Sequence, residues 1–226
     1  MTRRLTAAAM VLALAAALPA DEPKAAKNKD GWKLLFDGKS LDGWTGGKFT
    51  DAGKVEARDG AIVMEHGKPM TGVACTRDDF PKMNYEVSFE GKRVDGDDFF
   101  CTTVFPVGDT FCSFVAGGWG GMVVGLSNVN HENASENETT ASREFETGKW
   151  YKFRLRVTAD RIRAWIDDDQ VVDLETTDRK ITLHSACNPC KPFGFATWKT
   201  TGAVKNVRVR PLTDAEKKPA GEKKDG

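Results

Sequence analysis

The chain has 226 residues, 33 Lys and Arg against 33 Asp and Glu, and 40% hydrophobic content, which describes one globular domain or a small pair. That balance leaves out a disordered or fibrous chain. A formal charge of zero also argues against a nucleic-acid binder, since neutralising a phosphate track needs a surplus of Lys and Arg on one face.

The N-terminus predicts export. Of the first 20 residues, 15 are Ala, Val, Leu or Met; Arg3 and Arg4 form a positive start, residues 7–18 an unbroken apolar run, and Ala15, Ala17 and Ala20 a small-residue cleavage region. A membrane anchor would need about 20 apolar residues. Residues 1–20 therefore read as a signal peptide, and the product as periplasmic or extracellular with no membrane span. Residues 21–30 (DEPKAAKNKD) read as a linker, 31–212 as the folded unit, and 213–226 (TDAEKKPAGEKKDG) as a disordered tail. Neither flank has the apolar surface to offset ordering entropy.

From Trp32 onward apolar residues recur with period two, the pattern of half-buried strands. Strands are predicted at 32–36, 54–58, 61–65 and 73–76; Met83, Tyr85, Val87 and Phe89 then alternate with Asn84, Glu86, Ser88 and Glu90. Further strands follow at 99–105, 110–116 and 122–127. Residues 152–157, 161–166 and 171–174 form a three-stranded meander, apolar on one side and basic on the other. Strands at 193–198 and 203–210 complete the set. Trp150 and Trp165 read as core residues, and His66 and His184 as surface residues near turns. Short strands punctuated by Asp37-Gly38, Asp42-Gly43, Asp59-Gly60 and Asp95-Gly96 predict an all-β fold, a two-sheet antiparallel β-sandwich of the jelly-roll type.

The 5 Cys would meet oxidising conditions after export. Cys101 and Cys112 flank a hairpin tip; with Phe105 facing Thr110 they lie diagonally, about 7 to 8 Å apart, which is marginal for a bridge. Cys187-Asn188-Pro189-Cys190 has the C-x-x-C spacing of redox and metal sites. A loop disulfide before Pro192 is the leading expectation and a metal site the alternative, since nothing nearby reads as the helix a redox thiol would use.

Residues 31–44 (GWKLLFDGKSLDGW) resemble the opening signature of the 3-keto-disaccharide hydrolase family, a domain of exported bacterial proteins. Residues 54–63 (KVEARDGAIV) resemble its second and third strands, and 80–89 (FPKMNYEVSF) its Asn-Tyr-containing strand. Gly148-Lys149-Trp150-Tyr151 with 161–167 (RIRAWID) resembles its late hairpin, and 203–212 (AVKNVRVRPL) its last strand. The resemblance implies a concanavalin A-like jelly roll over 31–212 and attack on disaccharides or glycosides already oxidised at C3. Residues 95–140 stand where the family carries a strand around Gly-Asn-Ser-Gly.

A 3-keto group acidifies the C2 proton, so the C1 substituent can leave by elimination and water can then add. This needs a base near C2 and a donor or divalent cation for the ketone oxygen. Residues 131–139 (HENASENET) supply the catalytic candidates His131, Glu136 and Glu138, with Asn133 and Asn137 for sugar hydroxyls. Gly117-Gly118-Trp119-Gly120-Gly121 leaves Trp119 free to stack on a sugar ring, and Trp198 at a strand end is a second candidate. Asp97 and Asp98, in an acidic turn, are candidates for holding Ca²⁺ through oxygen.

The sequence thus points to a secreted carbohydrate-active protein, a hydrolase or lyase cleaving the glycosidic bonds of 3-keto-glycosides. A non-catalytic, lectin-like module of the cell envelope is the alternative, and an interaction domain for envelope proteins a third. The expected partner in the first two is a carbohydrate ligand.

Overall fold

The computed structural model describes residues 31–218; the expected signal peptide (1–20), the linker (21–30) and residues 219–226 lie outside the described residues. Two antiparallel sheets face each other. The first is 8-stranded, in the spatial order β3 (Val55–Arg58), β4 (Ala61–Met64), β15 (Thr200–Pro211), β6 (Tyr85–Gly96), β11 (Trp150–Val157), β12 (Arg161–Ile166) and β13 (Asp169–Glu175), with β1 (Lys33–Leu34) also pairing β15. The second is 7-stranded: β10 (Ala141–Ser142), β9 (Val123–Ser127), β8 (Thr110–Gly117), β7 (Thr102–Val107), β14 (Gly194–Trp198), β5 (Met70–Cys75) and β2 (Trp44–Gly46). The chain passes repeatedly from one sheet to the other, as in a jelly roll. Among the described residues no helix is long and apolar enough to cross a membrane.

Side-chain alternation decides which side of each strand is buried. On β11, Tyr151, Phe153, Leu155 and Val157 point inward, and their β12 partners obey the same rule: Phe153 pairs with Ile166, Leu155 with Ala164 and Val157 with Ile162. Between the sheets Phe89 stacks on Phe153 with centroids 4.9 Å apart and meets Phe195 of the second sheet edge-on at 4.8 Å. Each fully buried ring contributes about 1.5–3 kcal/mol. The Tyr85 hydroxyl also crosses between the sheets, donating to the Pro106 carbonyl oxygen at 2.7 Å.

Four expectations change. Trp165 shares its row with Arg161 and Arg163, so it faces out, and the Arg154 guanidinium lies 3.8 Å from its ring centroid. Trp150 likewise lies half-buried under the ammonium groups of Lys92 and Lys205, at 4.6 and 4.2 Å. Neither ring belongs to the core between the sheets. The cysteine pairings also fail: Val107, not Phe105, faces Thr110, and Phe105 faces Cys112, which carries Cys101 well away from Cys112. All five thiols are free and buried, and Cys187 and Cys190 lie on a 3-10 helix, Ser185–Cys190. Finally, the fold extends past residue 212. Glu216 accepts bonds from Arg210 at 2.7 Å and Arg156 at 3.2 Å, and from the Thr213 N–H at 2.9 Å.

Candidate functional site

Strand register builds a floor on the outer face of the second sheet. Gly72, Ala196, Thr102, Val115 and Gly125 form one outward row, and Ala74, Gly194, Val104, Ser113 and Ser127 the next. These side chains are small enough for two segments to lie on the sheet. The 3-10 helix covers one part, where a Cβ on Gly72 would sit 2.7 Å from the Cys190 sulfur. Residues 128–140 cover another, where a Cβ on Gly125 would sit 3.0 Å from the Thr139 carbonyl oxygen. A cleft of about 560 Å³ stays open on this face, within the roughly 300–1,000 Å³ of small-molecule sites.

One wall is aromatic. Trp119 is 50% exposed and has left-handed backbone, φ 50° and ψ 53°, a conformation costing a non-glycine residue about 1–2 kcal/mol. Such strain persists only where the surroundings hold it. Asp98 accepts the Gly120 N–H on Oδ2 at 3.3 Å and the Phe99 N–H on Oδ1 at 2.7 Å. From below, buried Arg93 donates to the Gly121 carbonyl oxygen at 3.1 Å and to that of Phe145 at 3.3 Å. Glycine is required at 117, where φ is 77° and a Cβ would meet Arg93 Nη2 at 2.6 Å. Trp198, paired with Met70 across the sheet, continues this wall, its ring centroid 6.2 Å from that of Phe99.

The rest of the lining carries the polar groups: Asn128, His131 and Asn133 from the loop, His184 from the start of the 3-10 helix, and Ser113 and Ser127 from the floor. Asn133 is fixed by its neighbours; its Oδ1 accepts the Ser135 N–H at 2.8 Å, and its Nδ2 donates to Glu136. His184 Nδ1 accepts the Ala186 N–H at 3.3 Å. In the neutral ring the proton then sits on Nε2, which makes that atom a donor.

Five residues expected from the sequence meet at this cleft: Asp98, Trp119, His131, Asn133 and Trp198. The others stand elsewhere. Glu136 is exposed and braces Asn133. Glu138 pairs with Arg179 at 2.6 Å beside a separate hollow, and that guanidinium holds its carboxyl below the usual range, so it stays ionised. Asn137 is 6% exposed and turned into its own loop. It donates to the carbonyl oxygens of Leu126, Glu132 and Asn133 and accepts from Thr139. All its bonding capacity is used, so it cannot serve a sugar. Asp97 is exposed and outside the cleft lining.

Ca²⁺ takes about 6–8 oxygen ligands. Asp98 already accepts two backbone amides, Asp97 does not reach the cleft, and among the described residues no three His, Cys, Asp or Glu side chains gather to hold a metal ion. These residues do not fit the expected cation. Burial pushes the Cys187 thiol, also in the lining, up to about 11, so it is no nucleophile at neutral pH. His184, Arg93 and Thr102 were not legible as site residues. The one sequence signal for His184 is its place three residues before the C-x-x-C.

Comparison with known proteins agrees with the fold. The model of the 3-keto-alpha-glucoside-1,2-lyase-like domain matches residues 31–210. No curated protein sequence matches the chain. Among solved structures, a candidate glycosyl hydrolase from Parabacteroides distasonis ATCC 8503 superposes with a TM-score of 0.54 at 13% identity, over 84% of this chain and 99% of that one. Domain 4 of AbnA, a GH43 extracellular arabinanase from Geobacillus stearothermophilus solved with arabinotriose, gives 0.51 at 16% identity, over 82% and 97%. A Crh5 transglycosylase in complex with NAG gives 0.55 at 14% identity, over 84% and 86%.

Proposed function

Because the chain belongs to the family of 3-keto-alpha-glucoside-1,2-lyase-like domains, we propose that it is an exported enzyme that cleaves glycosides already oxidised at C3, by eliminating the C1 substituent. The observation that carries this is the make-up of the cleft, where two histidines, two asparagines and an exposed Trp meet while Asp98, the only carboxylate in the lining, is bound to backbone amides. An ordinary glycosidase needs two carboxylates about 5–9.5 Å apart, which this lining does not offer. Elimination beside a ketone needs one base and one donor instead.

In this scheme His131 takes the C2 proton while His184 Nε2–H donates to the ketone oxygen, where the enolate charge gathers. The electron pair then forms the C1–C2 double bond, the C1–O bond breaks, and the departing oxygen takes the proton back from the imidazolium. Addition of water across the double bond completes a net hydrolysis. Asn133 offers an amide to a sugar hydroxyl, and Trp119 and Trp198 offer ring faces to the pyranose. The apolar run at residues 7–18 supports export.

Turnover of a 3-keto-disaccharide, with its C2 deuterated analogue, tests this. Wild type should release the C1 alcohol with a primary isotope effect, and His131→Ala and His184→Ala should each lower kcat by about 10²-fold or more. No turnover by wild type rejects the proposal. A binding-only role is favoured by one observation, that no side-chain bond orients the His131 ring among the described residues. It predicts sugar binding weakened by Trp119→Ala, with no product.

A further inference from the structure

Thr102 stands on β7, the central strand of the second sheet, in the middle of the floor row. Its neighbours in that row are Gly72, Ala196, Val115 and Gly125, so it is the row's one polar side chain. Thr102 is 1% exposed, it lines the cleft, and its Oγ1 has no hydrogen-bond partner. The hydroxyls beside it differ: Ser113 Oγ donates to the Ser127 carbonyl oxygen at 2.8 Å, and Ser127 Oγ bonds Asn128 Oδ1 at 2.8 Å. The same lining also carries the apolar Met70, Phe99, Val115, Ala186 and Trp198.

An orphaned buried hydroxyl is destabilising, and nearly all buried polar groups in folded proteins have a partner. Val has the same shape and β-branching as Thr without that penalty, so packing alone would favour Val here. We propose that Thr102 is a specificity-determining residue, whose hydroxyl completes its bonding with a hydroxyl of the sugar that enters the cleft. This rests on the cleft being a sugar site. The floor then reads one ring hydroxyl while the indole of Trp119 covers a ring face, and a sugar lacking or methylated at that hydroxyl is rejected.

The test uses Thr102→Val and Thr102→Ser in the full chain, with melting curves and titration of the 3-keto-disaccharide and its monodeoxy analogues. Thr102→Val should raise Tm, because it removes an unpaired hydroxyl, and weaken the sugar about tenfold, one hydrogen bond's worth. Thr102→Ser should stay within about twofold of wild type. One monodeoxy sugar should lose about tenfold on wild type and nothing further on Thr102→Val. A lower Tm for Thr102→Val would mean that the hydroxyl is already satisfied in the free protein, by a buried water, and would overturn the inference. Wild-type affinity in Thr102→Val overturns it too, while leaving the sugar site standing. Absence of sugar binding by wild type removes the site itself and this inference with it.

Discussion

The guanidinium of Arg93, only 6% exposed, donates from Nη2 to the carbonyl oxygen of Gly121 at 3.1 Å, and so fixes the turn on which Trp119 stands. Burial lowers the Arg93 pKa, and the charges of Asp97 and Asp98 pull it the other way. The arginine is thus a positioning residue that sets the aromatic wall from beneath. Arg93→Met leaves the Gly121 and Phe145 carbonyls without their donor and two carboxylates without their counter-charge. The expected cost is about 2–4 kcal/mol, read in urea unfolding, with weaker sugar binding. Wild-type stability in this variant would show that the turn holds itself.

Trp119 combines half exposure with a left-handed backbone, so it contributes little to folding. In Trp119→Gly, relief of about 1 kcal/mol of backbone strain offsets the loss of partial burial and the added unfolded-state freedom. Stability should stay within about 1 kcal/mol of wild type while sugar affinity falls by about tenfold or more. Calorimetry and sugar titration on one preparation check both halves.

Asn137 and Glu138 are adjacent yet do different work. Asn137→Ala strips three carbonyl oxygens of a donor and Thr139 of its acceptor, a loss of about 2–3 kcal/mol. It should also displace His131 and Asn133 and lower activity. Glu138→Gln breaks only a surface pair with Arg179, worth ~0–1 kcal/mol, and should leave kcat and KM unchanged. A large loss of kcat in Glu138→Gln would restore that carboxylate as a catalytic candidate.

The thiols should be silent in the native state. Burial pushes Cys112 up to about 12 and Cys187 up to about 11, against 9.0 in an exposed chain. A thiol whose folded pKa is raised adds stability that is fully present below pH 9 and is lost as pH rises through the folded values. Unfolding should therefore become easier between about pH 9 and pH 12. At pH 8 a disulfide-exchange reagent should label all five cysteines after denaturation and almost none before. Rapid native labelling of Cys187 would show that the 3-10 helix opens onto the cleft.

Most of the fold is legible from the chain alone, because alternation is local. Tyr85, Val87 and Phe89, or Ile162, Ala164 and Ile166, show the inner side of their strands without any partner. The same rule, applied strictly, would have put Trp165 outside with Arg161 and Arg163. The site divides differently. Trp119, His131 and Asn133 stand out in the sequence because glycines and a dense polar loop interrupt the strand pattern. Which residue of that loop faces the cleft does not stand out, since a turn aims Asn137 inward and Glu138 at Arg179.

By itself, then, the sequence determined the sandwich, the family and the segment that carries the polar groups. Only the tertiary structure decided the cleft. Thr102 and Trp198 line one cleft because β14 pairs with β7 at Ala196 and Thr102, residues far apart in the chain. Such long-range register follows from the packing of both sheets at once, and no local pattern encodes it.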